Sequence, residues 1–209
     1  MKLIDSAISD VLEITASDAP APGGGSIAAL TGALGAALVG MVASLTIGRK
    51  MYADHEQLMI DSAKKAEELR LQLADIIDRD AEAFKSVSAV FAMPKETDEE
   101  KNKRGAAMQT ALKSCVMTPI DIMECAFGAI EIASEMQGKF NSNAASDLGV
   151  AVLSLKAAIK GAWLNVLINL SGIKETAFVT EYKKRGEAIL EKALPPVDDI
   201  YNDVFQSLI

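Results

Sequence analysis

From Ser26 to Ile47 the chain carries no charged residue, and on both sides of that stretch apolar positions return every three to four residues among Lys and Glu. That rhythm predicts amphipathic helices around an apolar one. Ser6 to Ala16 reads as a short first helix, ended by Pro20-Ala21-Pro22-Gly23-Gly24-Gly25-Ser26, the strongest punctuation in the chain. Gly48 closes the apolar helix, with Arg49 and Lys50 beside its negative dipole end. A long helix is then expected from about Asp54 to Phe91, with Leu69, Leu73, Ile76, Ile77, Phe84, Val87 and Phe91 as its core face and Asp80 on that same face. Pro94 ends it. Thr97 followed by Glu100 predicts a capping box for the next helix, which runs to about Thr118. Pro119 is expected to bend or restart the chain, and a further helix reaches about Gln137, stopped by Gly138. Asn141-Ser142-Asn143 reads as a polar turn before a helix from Ala144 to Leu170, which Ser171-Gly172 ends. Glu175 to Ala193 is charged and amphipathic, Pro195-Pro196 is expected to break it, and Val197 to Leu208 forms a closing helix. No segment alternates like a strand, and no repeat, low-complexity tract or linker divides the chain. The expected fold is all-α, a single domain over residues 1–209 built as a bundle of long antiparallel helices.

The uncharged stretch is long enough to span a bilayer. Against a membrane role, Thr31, Ser44 and Thr46 keep it moderately hydrophobic, and no second uncharged stretch of that length exists. Gly32, Ala36, Gly40 and Ser44 recur at every fourth position, a stripe that lets another helix approach closely. A central helix of a soluble bundle is expected, and the stripe favours a homodimer.

Aromatic residues make up 5% of the 209 residues, so the core must be built from Ala, Leu, Ile, Val and Met. The 21 basic and 29 acidic side chains give a formal charge of −8, which argues against a nucleic-acid partner. Cys115 and Cys125 lie in apolar helical sequence without metal-ligand spacing and read as reduced core residues. Met1-Lys2-Leu3-Ile4-Asp5 does not resemble a signal peptide, so a cytoplasmic location is expected.

Several polar residues sit where chemistry is expected. Gly23-Gly24-Gly25-Ser26 opens a helix whose free N–H groups favour an anionic or acceptor-rich ligand; it is not a P-loop, because no Gly-Lys-Ser/Thr follows. The alternative is a capped turn between closely packed helices. Asp80, a charge on an apolar face, requires either a function or a buried ion pair with another helix. Asp147 stands in the first turn of its helix behind Asn141, Asn143 and Ser146, more acceptors than one cap uses. Asn165 and Asn169 share a face further along, available to a ligand or to a helix–helix hydrogen bond. Asp147 and Asn165 are eighteen residues apart, about 27 Å along a helix, so one subunit cannot bring both to one small substrate. His55 is the only histidine and reads as solvated, which excludes a histidine triad within one chain and leaves no metal site.

These residues together resemble the cyclodeaminase domain of formiminotransferase-cyclodeaminase and its free-standing bacterial relatives, the methenyltetrahydrofolate cyclohydrolases among them. The likeness runs through Pro20 to Ser26, Leu45-Thr46-Ile47-Gly48-Arg49-Lys50, Asp80 to Phe84, Asn141 to Val150, Gly161-Ala162 and Asn165 to Leu170. The resemblance implies an all-helical homodimer without metal or permanently bound cofactor, with a one-carbon derivative of tetrahydrofolate as substrate. The chain lacks the formiminotransferase portion, so a separate formiminotransferase would load the folate, and Ser6-Ala7-Ile8 is less apolar than is usual at the family's start. The reaction expected first is closure of 5-formiminotetrahydrofolate to the 5,10-methenyl form with release of ammonia. Hydrolysis of the methenyl ring to 10-formyltetrahydrofolate is the alternative, and a non-catalytic folate-binding or scaffold dimer the rival of another class. Asp147 is expected as base and Asp80 as acid or amidinium partner. Gly23, Gly24, Gly25, Ser26, Lys50, Asn141, Asn143, Ser146, Asn165 and Asn169 are the expected substrate-binding residues.

Overall fold

Small residues allow the uncharged stretch to be the centre of the molecule. In the computed structural model, which describes residues 2–209, it forms α2 (Gly24–Thr46), preceded by a short α1 (Ile8–Thr15). The chain continues through α3 (Glu56–Phe91), α4 (Asp98–Met136), α5 (Ala145–Leu170) and α6 (Thr176–Leu208), with 3-10 turns at Leu3–Asp5, Lys50–His55 and Ser142–Ala144. No strand occurs among the described residues, and the fold is the all-α bundle that the periodicity predicts.

Helix α2 packs along both α3 and α5 and touches α4. A methyl added at Gly32 would lie 3.2 Å from Leu73 and 3.3 Å from Ala158, and one at Gly35 only 2.8 Å from Leu155 and 3.0 Å from the Ala151 carbonyl. Glycine there sets the helix spacing, and larger residues would overpack it at a cost of about 1–3 kcal/mol. Gly24 lies against Asn165, Gly35 against Leu155, and Thr46 bonds Asn141, so α2 and α5 run antiparallel. Around them the fully buried side chains Leu73, Ile120, Met123, Leu148, Leu155 and Ile159 fill the core.

Three features differ from the sequence pattern, two of them helix boundaries. Helix α4 runs unbroken through Pro119, and α6 runs through Pro195 and Pro196. In α6 the prolines remove the N–H partners of the Glu191 and Lys192 carbonyls, but both residues are exposed, which leaves the freed acceptors to solvent. The buried face Ile189, Ala193, Val197, Ile200 and Val204 keeps its three-four spacing across the prolines, so packing holds the helix continuous through them. The third difference is in α3. Leu73, Ile76 and Ile77 are buried as expected, whereas Phe84 and Phe91 are 44% and 65% exposed. The Thr97–Glu100 capping box forms as predicted.

By length and hydropathy two helical segments could cross a membrane, Gly24–Thr46 and Ser142–Leu170, where the sequence pattern suggests one. The second contains Asp147, Lys156 and Lys160, yet its most apolar stretch averages a hydropathy of 1.5. Each packs against the other and against charged amphipathic neighbours inside one bundle. One face of the pair stays open: Leu34, Met41 and Leu45 on α2 and Val150, Leu153, Leu164 and Ile168 on α5 are exposed.

Candidate functional site

The expected site residues fall into two groups, one at each end of α2. At its N-terminus, Gly23 is the cap and Gly24, Gly25 and Ser26 form the first turn, inside the helix rather than before it. Asp80, in the C-terminal half of α3, points at that turn. Its Oδ2 accepts a 2.9 Å hydrogen bond from Ser26 Oγ, and the Ser26 backbone N–H donates to the same carboxyl. Gly25 makes this possible, since a Cβ there would sit 2.2 Å from Asp80 Oδ1. Backbone conformation does not require glycine at this position; the approach of the carboxyl does.

Asp80 has no cationic partner among the described residues, because Arg79 pairs with Asp121 and Lys85 with Glu82. The buried-ion-pair reading of Asp80 therefore finds no partner among the described residues. Burial pushes its carboxyl above the ordinary 3.8, and the Ser26 donors pull it partly back. The same charge reaches Cys115 of α4, whose buried thiol is pushed up to about 11 by burial first and Asp80 second. Cys115 and Cys125 are both free and buried.

Asn165 and Asn169 of α5 complete this end. The Asn165 side chain lies against Gly24, with Nδ2 3.4 Å from where a Cβ would be, and donates to the Gly161 carbonyl at 2.9 Å. Asn169 Nδ2 donates to the Asn165 carbonyl at 2.8 Å and to the Cys115 carbonyl at 3.0 Å. The second acceptor is the carbonyl four residues before Pro119, which the proline leaves without its helical partner. Asn169 thus fills the gap that a buried proline opens in α4 and ties α4 to α5 beside Asp80.

The other group surrounds the C-terminus of α2. Asn141 is 7% exposed and fully engaged within the chain. Its N–H donates to Thr46 Oγ1 at 2.9 Å, its Nδ2 to the Leu45 carbonyl at 3.2 Å, and its Oδ1 accepts from the Asn143 N–H at 3.2 Å. It closes α2 and opens the turn into α5, a structural task that engages both of its side-chain polar atoms once each. Asn143, Ser146 and Lys50 are exposed, and Asp147 is half-buried in the first turn of α5. With α2 23 residues long, the two groups lie about 34 Å apart in one chain. His55 is half-buried and precedes the first turn of α3.

Sequence reasoning missed Tyr52 and the cavity beside it. Tyr52 Oη accepts the Ser142 N–H at 3.1 Å, which lowers the phenol's pKa. A cavity of about 630 Å³ opens there between α4, α5 and α6, lined by Tyr52, Gln137, Phe140, Ser142, Leu148 and Asp203. No spacing rule marks it, because its residues come from four separate segments of the chain.

This arrangement has known counterparts. The family model of formiminotransferase-cyclodeaminase matches residues 7–188. The methenyltetrahydrofolate cyclohydrolase of Methylorubrum extorquens is 42% identical over 197 residues, covering 94% of this chain and 95% of that protein. The formimidoyltransferase-cyclodeaminase of Sus scrofa is 34% identical over 83% of this chain, which spans 32% of that longer protein. Among solved structures, formiminotetrahydrofolate cyclodeaminase from Thermotoga maritima superposes with a TM-score of 0.80 at 29% identity, over 98% of this chain and 96% of that one. The fold, the end-to-end relatives and the matched segment agree, and the chain belongs to the formiminotransferase-cyclodeaminase family.

Proposed function

We propose that this chain is a folate one-carbon enzyme acting on the carbon between N5 and N10 of tetrahydrofolate, and that its reaction is hydrolysis of the 5,10-methenyl ring to 10-formyltetrahydrofolate. The observation that carries the site is Asp80, a partly buried carboxylate with two donors and no cation among the described residues. Such a group is completed by a cationic ligand, and the methenyl amidinium is one. The identity of 42% over nearly the whole of both chains supports the water reaction. The sequence alone places ring closure with loss of ammonia first. That reaction remains the second reading, supported by the Thermotoga maritima and Sus scrofa similarities, and its formimino substrate is also an amidinium.

In the hydrolytic reading, water adds to the methenyl carbon while a carboxylate takes one of its protons. The neutral adduct then receives a proton on N5, the N5–carbon bond breaks, and the second water proton leaves as the formyl carbonyl forms. One proton is released overall. Asp80, whose carboxyl burial raises above its ordinary value, suits proton delivery to N5, with Asp147 as base. The glycine turn and Asn165 align the pterin, and Lys50 with Asn143 and Ser146 faces the glutamate carboxylates.

One protomer cannot assemble this set, since Asp80 and Asp147 lie at opposite ends of α2. We take the functional unit to be a homodimer closed over the exposed α2–α5 face. A twofold axis at the middle of that face brings the Asp147 end of one protomer to the Asp80 end of the other, and an apolar face of this length fits an isologous contact.

The test is the near-ultraviolet methenyl absorbance of purified protein with methenyltetrahydrofolate and, separately, with 5-formiminotetrahydrofolate, each against a protein-free control. A faster fall in the first mixture is expected. A faster rise only in the second would replace hydrolysis by cyclodeamination, and no change in either would favour the binding or scaffold reading.

A further inference from the structure

Hydrogen bonds from both sides of Lys50 reach the same turn. Thr46, the last residue of α2, accepts the Asn141 N–H at 2.9 Å through Oγ1, and Tyr52 accepts the N–H of the next residue, Ser142, at 3.1 Å through Oη. The Asn143 N–H goes to Asn141 Oδ1 at 3.2 Å. Successive backbone donors of the turn that leads to Asp147 are thus taken, and the first two go to residues that bracket Gly48, Arg49 and Lys50.

The bracketed segment is also held from its other side. Gly48, at φ +75°, turns the chain away from α2, and its N–H donates to both carboxyl oxygens of Glu56, at 2.9 and 3.2 Å. Glu56 opens α3, so the loop is tied to that helix as well. The Tyr52 N–H donates to the Arg49 carbonyl at 2.8 Å, and Tyr52 itself leaves helical geometry (φ −117°, ψ 19°) inside the 3-10 turn. Arg49 and Lys50 are exposed and make no ion pair among the described residues.

The two anchors differ in kind. Thr46 is buried, and its bond to Asn141 belongs to the core. Ser142 is exposed and Tyr52 half-buried, so the Ser142 N–H could turn to water at little cost in stability. What the Tyr52 hydroxyl adds is position. It joins the turn that carries Lys50 to the turn that carries Asn143 and leads to Asp147.

On the reading of Lys50 and Asp147 as parts of one folate site, we propose that Tyr52 is a positioning residue for that reaction: its hydroxyl locks the Lys50 turn onto the Ser142 turn. The cation that meets the glutamate carboxylates and the carboxylate that serves the reacting carbon then keep a fixed spacing, and the substrate tail is held in register with the ring.

Tyr52→Phe removes the hydroxyl and keeps the ring. The test is steady-state kinetics on whichever of methenyl- and 5-formiminotetrahydrofolate the parent converts, for the parent, Tyr52→Phe, Lys50→Met and the double variant, with denaturant unfolding as the control for the fold. The expected result is a KM raised on the order of tenfold in Tyr52→Phe with a much smaller change in kcat. The double variant should be no worse than Lys50→Met alone, because both changes remove the same contact, a coupling that a merely structural tyrosine would not show. A Tyr52→Phe KM equal to the parent's, or effects of the two substitutions that multiply, overturns the positioning role and leaves the folate reading standing. A Lys50→Met KM equal to the parent's removes the tail contact and the proposal with it, and a parent that converts neither substrate removes the folate reading as well.

Discussion

Gly25 and Asp80 occupy space that only a glycine and a carboxyl can share: a methyl on Gly25 would stand 2.2 Å from Oδ1 and 2.6 Å from Oδ2. Gly25→Ala must therefore displace the carboxyl or the helix start. We expect destabilisation of about 1–3 kcal/mol by denaturant unfolding, together with a marked loss of turnover. Gly23→Ala is the stability control, since a Cβ there meets nothing within 4 Å. Its unfolding midpoint should change by no more than about 0.5 kcal/mol equivalent. Equal effects at both positions would contradict the close approach.

Asp80→Asn removes the charge and keeps the shape. Turnover should fall by a factor on the order of 10²–10⁴ in the methenyl absorbance assay, with the circular dichroism spectrum unchanged. Stability should move the other way. The folded carboxyl titrates above the ordinary 3.8, so below that value both folded and unfolded chains are protonated and ionisation costs the fold nothing. As pH rises from 3.8 towards the raised value the folded state keeps a proton that the unfolded chain has lost, and the parent loses stability relative to Asp80→Asn. The gap between the two should be widest near neutral pH and shrink towards pH 3.8. A gap independent of pH would show that Asp80 is not strained by burial.

Asn169 and Pro119 should be coupled. Asn169→Ala leaves the Cys115 carbonyl without a donor in a buried setting, at about 1–3 kcal/mol. In a Pro119→Ala background the helix regains an N–H for that carbonyl, and the same substitution should cost less. A double-mutant cycle by chemical unfolding measures the difference, and additive effects would remove the assigned role.

The fold was legible because apolar periodicity and the Thr97–Glu100 box are local signals. The continuation of α4 and α6 through their prolines was not, because in each case a distant group compensates: Asn169 in one, water and the buried Ile189-to-Val204 face in the other. Phe84 and Phe91 have core spacing yet stay exposed, since periodicity gives the apolar face of a helix and not how far its neighbours extend along it. At the site, Asp80 and the glycine turn were readable as a charge on an apolar face and an excess of glycine. Their contact was not, nor was the fact that Asn141 spends its polar atoms inside the chain. Tyr52 carries no local mark, as its partner Ser142 is 90 residues away in sequence.

The most direct test mixes two inactive proteins. On the dimeric reading proposed above, Asp80→Asn and Asp147→Asn chains unfolded together and refolded should yield mixed dimers in which one site takes Asp80 from one protomer and Asp147 from the other. If each site spans two chains, methenyl hydrolysis should return to roughly a quarter of the parent rate, because about half of the dimers are mixed and each holds one intact site. Activity no higher than the sum of the two variants would contradict a site shared between subunits.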